Sequence, residues 1–179
     1  MTLTPQPEVT PRSLLDWARA QHANDPVESC FQALDHQLAA APGHRLLTVL
    51  VYFEERGESQ RAYSSQPTQY PRGGRKTLGQ APRMRQVLSS GEPFLGRTRQ
   101  DIIDNYADHE LLLSMGCECI INMPVRWGQR VLGTVNLLDA EGRYQQADLE
   151  RISAWAQLSA PAFLAVIHQL QANRQSPGP

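Results

Sequence analysis

Cys117 and Cys119 stand two apart in the segment CECIINMPVRW, where extended backbone would put both side chains on one face of a sheet. On a pocket face they form a redox pair or two soft metal ligands; on a packed face they are small apolar filler, which is the stronger reading. A closed zinc site takes further ligands, and His22, His36, His44, His109 and His168 have no companion spacing around the cysteines. No catalytic or metal-binding set is assigned, and no cofactor is named. A second group is cationic. The stretch SSQPTQYPRGGRKTLGQ carries Tyr70, Arg72, Arg75 and Lys76 around the pair Gly73-Gly74. Adjacent glycines let backbone amides approach an anion, so this loop suits a phosphate or carboxylate, against the plainer reading of a solvated basic loop.

Arg97 and Arg99 lie just before a polar and aromatic run with Asp101, Asp104, Tyr106, Asp108, His109 and Glu110. A histidine a few residues from carboxylates can hold a proton or a metal, and the same pattern also fits a surface helix with charge pairs. Asn122 and Asn136 each interrupt an otherwise apolar strand segment. A buried unsatisfied amide costs about 1–3 kcal/mol, so each requires a partner, and a bond between neighbouring strands is the favoured one.

The elements that must position these residues follow from periodicity. Prolines at 5, 7 and 11 mark residues 1 to 12 as a flexible arm, with Ser13 as the cap of a first helix. Val27, Phe31, Leu34 and Leu38 give a second helix, capped by Asp25 with Pro26 in its first turn. RLLTVLVYFEE is a buried strand that pairs with QRAYSSQP, where alternation puts Tyr63 and Ser65 on one face. Residues 79 to 90 form a helix, PFLG a short strand, and residues 101 to 115 one helix with Ile102, Tyr106 and Leu113 on a face. CECIINMPVRW and RVLGTVNLLDA make a hairpin about Gly128-Gln129. From Asp148 a long amphipathic helix runs on with a kink at Pro161, and residues 172 to 179 are a disordered tail. The order predicts an α/β (α+β) fold, an antiparallel sheet with helices packed on it.

Composition narrows the function classes. Seventeen Lys and Arg against eighteen Asp and Glu leave a formal charge of −1, no footprint for nucleic acid. There is no secretory start and no run of apolar residues of membrane-spanning length. Three cysteines without a signal fit reduced thiols, and the expectation is a cytoplasmic protein that meets neither nucleic acid nor membrane.

The run GCECIINMPVRWGQRVLGTVNLLD, followed by YQQADLERISAWAQLSAPAFLAVI, resembles the closing hairpin and last helix of GAF domains. Extended backward, the resemblance covers residues 13 to 171 as one domain. It implies a central antiparallel sheet with terminal helices on one face and, on the other, a small-molecule pocket roofed by residues 66 to 80 and 97 to 116. The implied function is a sensory or regulatory domain that binds a small polar or anionic metabolite and acts through a homodimer or a regulatory protein partner. Placed on this sequence, the ligand set is Tyr63, Ser65, Tyr70, Arg75, Arg97, Asp101, Ile102, Tyr106 and His109. The homodimer is expected through terminal helices carrying Leu14, Leu15, Trp17, Trp155, Phe163 and Leu170. Two alternatives stand beside it: a thiol-dependent redox enzyme of the free methionine sulfoxide reductase type, and a ligand-free dimerisation scaffold. The chain departs from the reductases in having no cysteine in YPRGGRKTLGQAP or RQDIIDNYADHELLL.

Overall fold

The segment LLTVLVYF is apolar and β-branched at nearly every position, and in the computed structural model, which describes residues 10–77 and 82–175, it is the strand β1 (Leu46–Phe53) near the middle of a sheet. Its neighbours are β2 (Glu58–Ser64) and β6 (Arg130–Asp139). β3 (Arg75–Thr77), β5 (Cys119–Trp127) and β4 (Phe94–Gly96) complete the order β3-β2-β1-β6-β5-β4, and every pairing is antiparallel. β3 is an addition to the expected elements, since its three residues carry no apolar alternation to announce a strand. Gly133 lets β6 lie close on β1: a Cβ there would come within 2.0 Å of the Leu50 carbonyl oxygen.

One face of the sheet is covered by α1 (Pro11–Ala20), α2 (Pro26–Ala40), α6 (Asp148–Leu158) and α7 (Ala160–Gln175). α2 opens as expected: Asp25 accepts from the Glu28 amide at 3.1 Å with Pro26 in the first turn. Its helical stripe of Phe31, Leu34 and Leu38 is buried against Phe163 and Tyr63. α1 begins earlier than expected, capped by Thr10, and Ser13 closes a reciprocal capping box from inside the helix. Residues 1–9 lie outside the described region. The last helix is two helices. α6 ends with Ser159 as its C-cap and α7 begins at Ala160, so Pro161 falls in the first turn of α7, where a missing amide breaks no helical bond. α7 continues to Gln175, so residues 172 to 175 of the expected tail are helical, and 176–179 lie outside the described residues.

The opposite face carries the loop that follows β2, then α3 (Pro82–Ser90), α4 (Arg99–Asn105) and α5 (His109–Ser114). The expected helix over 79 to 90 is described from Pro82, and residues 78–81 lie outside the description. The single helix expected over 101 to 115 is broken at residues 106 to 108, where Tyr106 turns extended (φ −128°, ψ 118°). Among the described residues no helix is long and apolar enough to cross a membrane.

Candidate functional site

Residues of β1, β6 and β5 that face away from the large helices form a polar row across the sheet. Thr48, Asn136 and Asn122 are register partners on adjacent strands, and all three are buried. Asn122 Nδ2 donates to Asn136 Oδ1 at 2.7 Å, and Asn136 Nδ2 donates to the Thr48 hydroxyl at 3.1 Å. At the far end the Tyr106 hydroxyl donates to Asn122 Oδ1 at 2.5 Å. Burial raises the Tyr106 phenol above its ordinary value, so it stays a protonated donor. The expected interstrand partners of the two asparagines are therefore present. The tertiary bond to Tyr106 also helps hold open the break between α4 and α5.

Between this row and the roof lies a cavity of about 270 Å³. Its apolar wall is Leu50, Ile120, Leu138, Leu112 and Met84, and among its polar groups are the asparagine row, Tyr106, Tyr70, Lys76, Asp108, Arg61, Ser59, Thr77 and Asn105. An apolar body with a few convergent polar groups is the usual make-up of a small-molecule site.

Arg61 is the most telling of these. It is 7% exposed, its guanidinium stacks 3.6 Å from the centroid of the Tyr70 ring, and Nη1 donates to the Pro71 carbonyl at 2.6 Å. Nε is buried with no hydrogen-bond partner, and no carboxylate pairs with this cation among the described residues. Lys76, by contrast, is matched: Nζ lies 2.8 Å from Asp108 Oδ1, and the Tyr70 hydroxyl donates to Asp108 Oδ2. Burial would raise the Asp108 carboxyl, but the Lys76 charge and the bonds from Lys76 and Tyr70 outweigh it and hold it below the usual range. Burial, with the Asp108 charge next, raises the Tyr70 phenol. The lining thus holds one neutralised ion pair and one unmatched buried cation.

Of the residues named from sequence, Tyr70 and Tyr106 line the cavity and Ile102 is buried in the small apolar cluster beneath the roof. Tyr63 and Ser65 do not share the cavity face. The β1–β2 register pairs Val49 with Tyr63 but Leu50 with Arg61, so Ala62 is an extra residue in a bulge, and a bulge reverses which side chains face which way. Tyr63 therefore points into the helix-side core, where its hydroxyl donates to Asp35 at 2.7 Å, while Arg61 takes the cavity face. Ser65 accepts from the Leu47 amide at 2.8 Å.

Arg75 and Arg97 are exposed and outside the lining. Asp101 is held by the cap of α4, accepting from the Thr98 hydroxyl and from the Arg97 and Thr98 amides. His109 Nδ1 donates to the Tyr106 carbonyl at 2.9 Å and stands outside the lining. In the Gly73-Gly74 pair, the Gly73 amide is taken by the Arg61 carbonyl and the Gly74 carbonyl accepts from the Arg61 amide.

The cysteines part company. Cys117 precedes β5, just after the turn at Gly116 (φ +73°), and packs beneath the roof, whereas Cys119 packs in the helix-side core. Both are fully buried, and burial, with the Asp139 charge next, pushes the Cys117 thiol up to about 12. No cysteine lines the cavity, and the described residues contain no cluster of His, Cys, Asp or Glu able to hold a metal. Sequence reasoning missed Arg61, because it stands in a strand whose phase only the bulge sets. It also left Thr48, Asn122 and Asn136 out of the site, although isolated polar residues in apolar strands were a usable signal.

A family model for the GAF domain matches residues 23–163. No curated protein matches the chain. Among solved structures it is similar to a GAF domain/HD domain protein from Geobacter sulfurreducens, with 15% identity over 82% of this chain and 97% of that one and a TM-score of 0.66. It is also similar to the GAF domain of a two-component sensor histidine kinase from Bacillus halodurans, at 13% identity over 82% and 97% of the two chains with a TM-score of 0.65. A type II free methionine-R-sulfoxide reductase from Thermoplasma acidophilum shares 15% identity over 76% and 92%, with a TM-score of 0.60. At these identities the likeness is one of fold. The matched span runs from the loop before α2 into α7 and includes all six strands, and so the chain belongs to the GAF domain family.

Proposed function

We propose that this GAF domain is a sensory module whose cavity takes a small organic anion held by Arg61. One observation carries the reading: a guanidinium 7% exposed, lining a cavity, with an unpartnered Nε and no carboxylate paired with it among the described residues. A buried charge without a partner is costly, and an incoming anion would supply the partner through charge-assisted bonds. The readout runs through the roof. Tyr70, stacked on Arg61, sits two residues from Arg72, whose guanidinium makes a two-pronged contact with Glu28 of α2 at 2.6 and 2.7 Å. Re-engagement of Arg61 would thus be felt on the helix-covered face, where a partner protein or a second copy would read it as a population shift.

The apolar surface available for a homodimer is smaller than the sequence suggested. Trp17, Trp155 and Phe163 are spent inside the domain's own core and Leu170 is partly buried against it, which leaves Leu14 and Leu15 of the expected set, 43% and 50% exposed on α1, with Leu158 of α6 also exposed. The redox alternative has no accessible thiol in its favour.

The test is isothermal titration of carboxylates, phosphate and phosphate esters into wild type, Arg61→Lys and Arg61→Gln. At least one anion should bind wild type, more weakly Arg61→Lys, and Arg61→Gln least. Equal binding by all three proteins overturns the role of Arg61, and no binding by wild type overturns the reading and leaves the ligand-free scaffold. Light scattering across micromolar concentrations decides the dimer.

A further inference from the structure

The polar row in the cavity keeps unused hydrogen-bond donors. Each asparagine carboxamide has two N–H bonds and one carbonyl. Asn122 gives one N–H to Asn136, Asn136 gives one to Thr48, and the Asn122 carbonyl is taken by Tyr106. Each amide therefore keeps a second N–H with no acceptor among the described residues, and so does the Thr48 hydroxyl proton. Turning both amides over reverses the direction of the chain of bonds but not this result: each carboxamide still retains one N–H, and the spare hydroxyl proton moves from Thr48 to Tyr106. At the other end stands the Arg61 guanidinium, whose Nε is buried without a hydrogen-bond partner.

Free negative charge is missing to the same degree. Among the described residues Asp108 is the one carboxylate in the lining, and each of its oxygens accepts a bond, from Tyr70 and from Lys76. An ammonium group entering this space would lie near Arg61 and Lys76, and the carboxylate it could reach already accepts from Tyr70 and Lys76. A ligand oxygen would find donors at both ends.

The two donor groups are also set apart by the sheet. Arg61 pairs with Leu50, and Thr48 with Asn136, so Arg61 is two strands and two rows from Asn136. That is about 12 Å between their Cα atoms at ordinary sheet spacing. The long Arg61 side chain closes much of that span, leaving the reach of a short carbon chain against Leu50 and Leu138.

We infer that the cavity selects an organic acid whose other polar groups are oxygens and which carries no ammonium, a 2-oxo acid or a dicarboxylate, over the amino acid of the same carbon skeleton. The carboxylate lies on Arg61 and the second oxygen accepts from the spare donors of Asn136, Asn122 and Thr48. This inference rests on the anion reading above and narrows it.

The test is titration of matched pairs into the purified full chain: 2-oxoglutarate against glutamate, succinate against aspartate, 4-methyl-2-oxopentanoate against leucine. The expected result is at least tenfold tighter binding of the amine-free member of one or more pairs. Thr48→Val should weaken that member at least threefold, and Asn136→Asp, which places a carboxylate in the row, should shrink or reverse the preference. An amino acid that binds as tightly as its twin overturns the inference and leaves the anion reading standing. So does binding of inorganic phosphate or a phosphate ester through Arg61 while no member of any pair binds. If no anion of any kind binds, both fall. Should Asn136→Asp fail to fold, the wild-type pairs and Thr48→Val decide the matter alone.

Discussion

Both faces of the central sheet are made from the same strands, yet they are finished differently. On the helix-covered face Val49, Val51, Leu137, Val135, Ile121 and Met123 meet Phe31, Leu34, Phe163 and Ile167, with exposures between 0% and 5%. Aromatic rings there lock edge to face, Phe31 and Phe163 at 5.8 Å. On the other face the intervening residues are Thr48, Leu50, Asn136, Leu138, Asn122 and Ile120, roofed by short helices and a loop with a cavity left between. One face has used its surface for cohesion. The other holds polar groups whose bonding is incomplete, and such a surface stabilises the fold less but can recognise something.

The comparison breaks or sharpens at four places. The largest effect is expected from Phe163→Ala, which removes a fully buried ring from the dense face. It should destabilise by about 3–5 kcal/mol in urea unfolding, whereas Leu50→Ala beside the cavity should fall at or below about 2 kcal/mol, because the space it vacates adjoins a void. Equal losses would mean that the cavity face is scaffold too.

Next comes Asn136→Ala, which strips partners from both Asn122 and Thr48. A cost of about 1–3 kcal/mol is expected in the same measurement, and a neutral result would show that the row contributes nothing to the empty fold.

Third is the pH response of the roof. The Asp108 carboxyl is held below its ordinary value. A depressed carboxylate contributes stability that is full above the unfolded pKa of about 4 and is lost as pH falls through the folded value. Acid should therefore loosen the roof below about pH 4, with roughly 1.5–3 kcal/mol at stake for bonds to a charged group. Hydrogen exchange at residues 106 to 112 should reveal this, and Asp108→Asn should flatten the dependence. The same loss at Leu34 and Phe163 would show acid acting on the whole fold instead.

The smallest effect is that of Arg72→Ala. Its ion pair with Glu28 is 41% and 27% exposed at the two side chains, so the stability loss should stay under about 1 kcal/mol. Exchange protection at the start of α2 should nevertheless fall, linking the two faces.

The amino-acid sequence by itself determined the elements whose signal is local. The β-branched runs of β1, β5 and β6, the Phe31, Leu34 and Leu38 stripe, and the Gly128 turn each follow from periods and turn chemistry confined to a few residues. The arrangement of sheet and roof came through the resemblance to GAF domains, and the need of Asn122 and Asn136 for partners from their place in apolar strands. Only the tertiary structure decided which side chains meet in the cavity. The bulge at Ala62 reverses the phase of β2, sending Tyr63 to Asp35 and bringing Arg61 inside, and no residue type in ESQRAYS marks it. The break at Tyr106 is held by bonds to strands and loops distant in sequence. Cys117 and Cys119 fall on opposite sides because the strand begins between them. Alternation is a rule of uninterrupted strands, and here the site was assembled where the strands are interrupted.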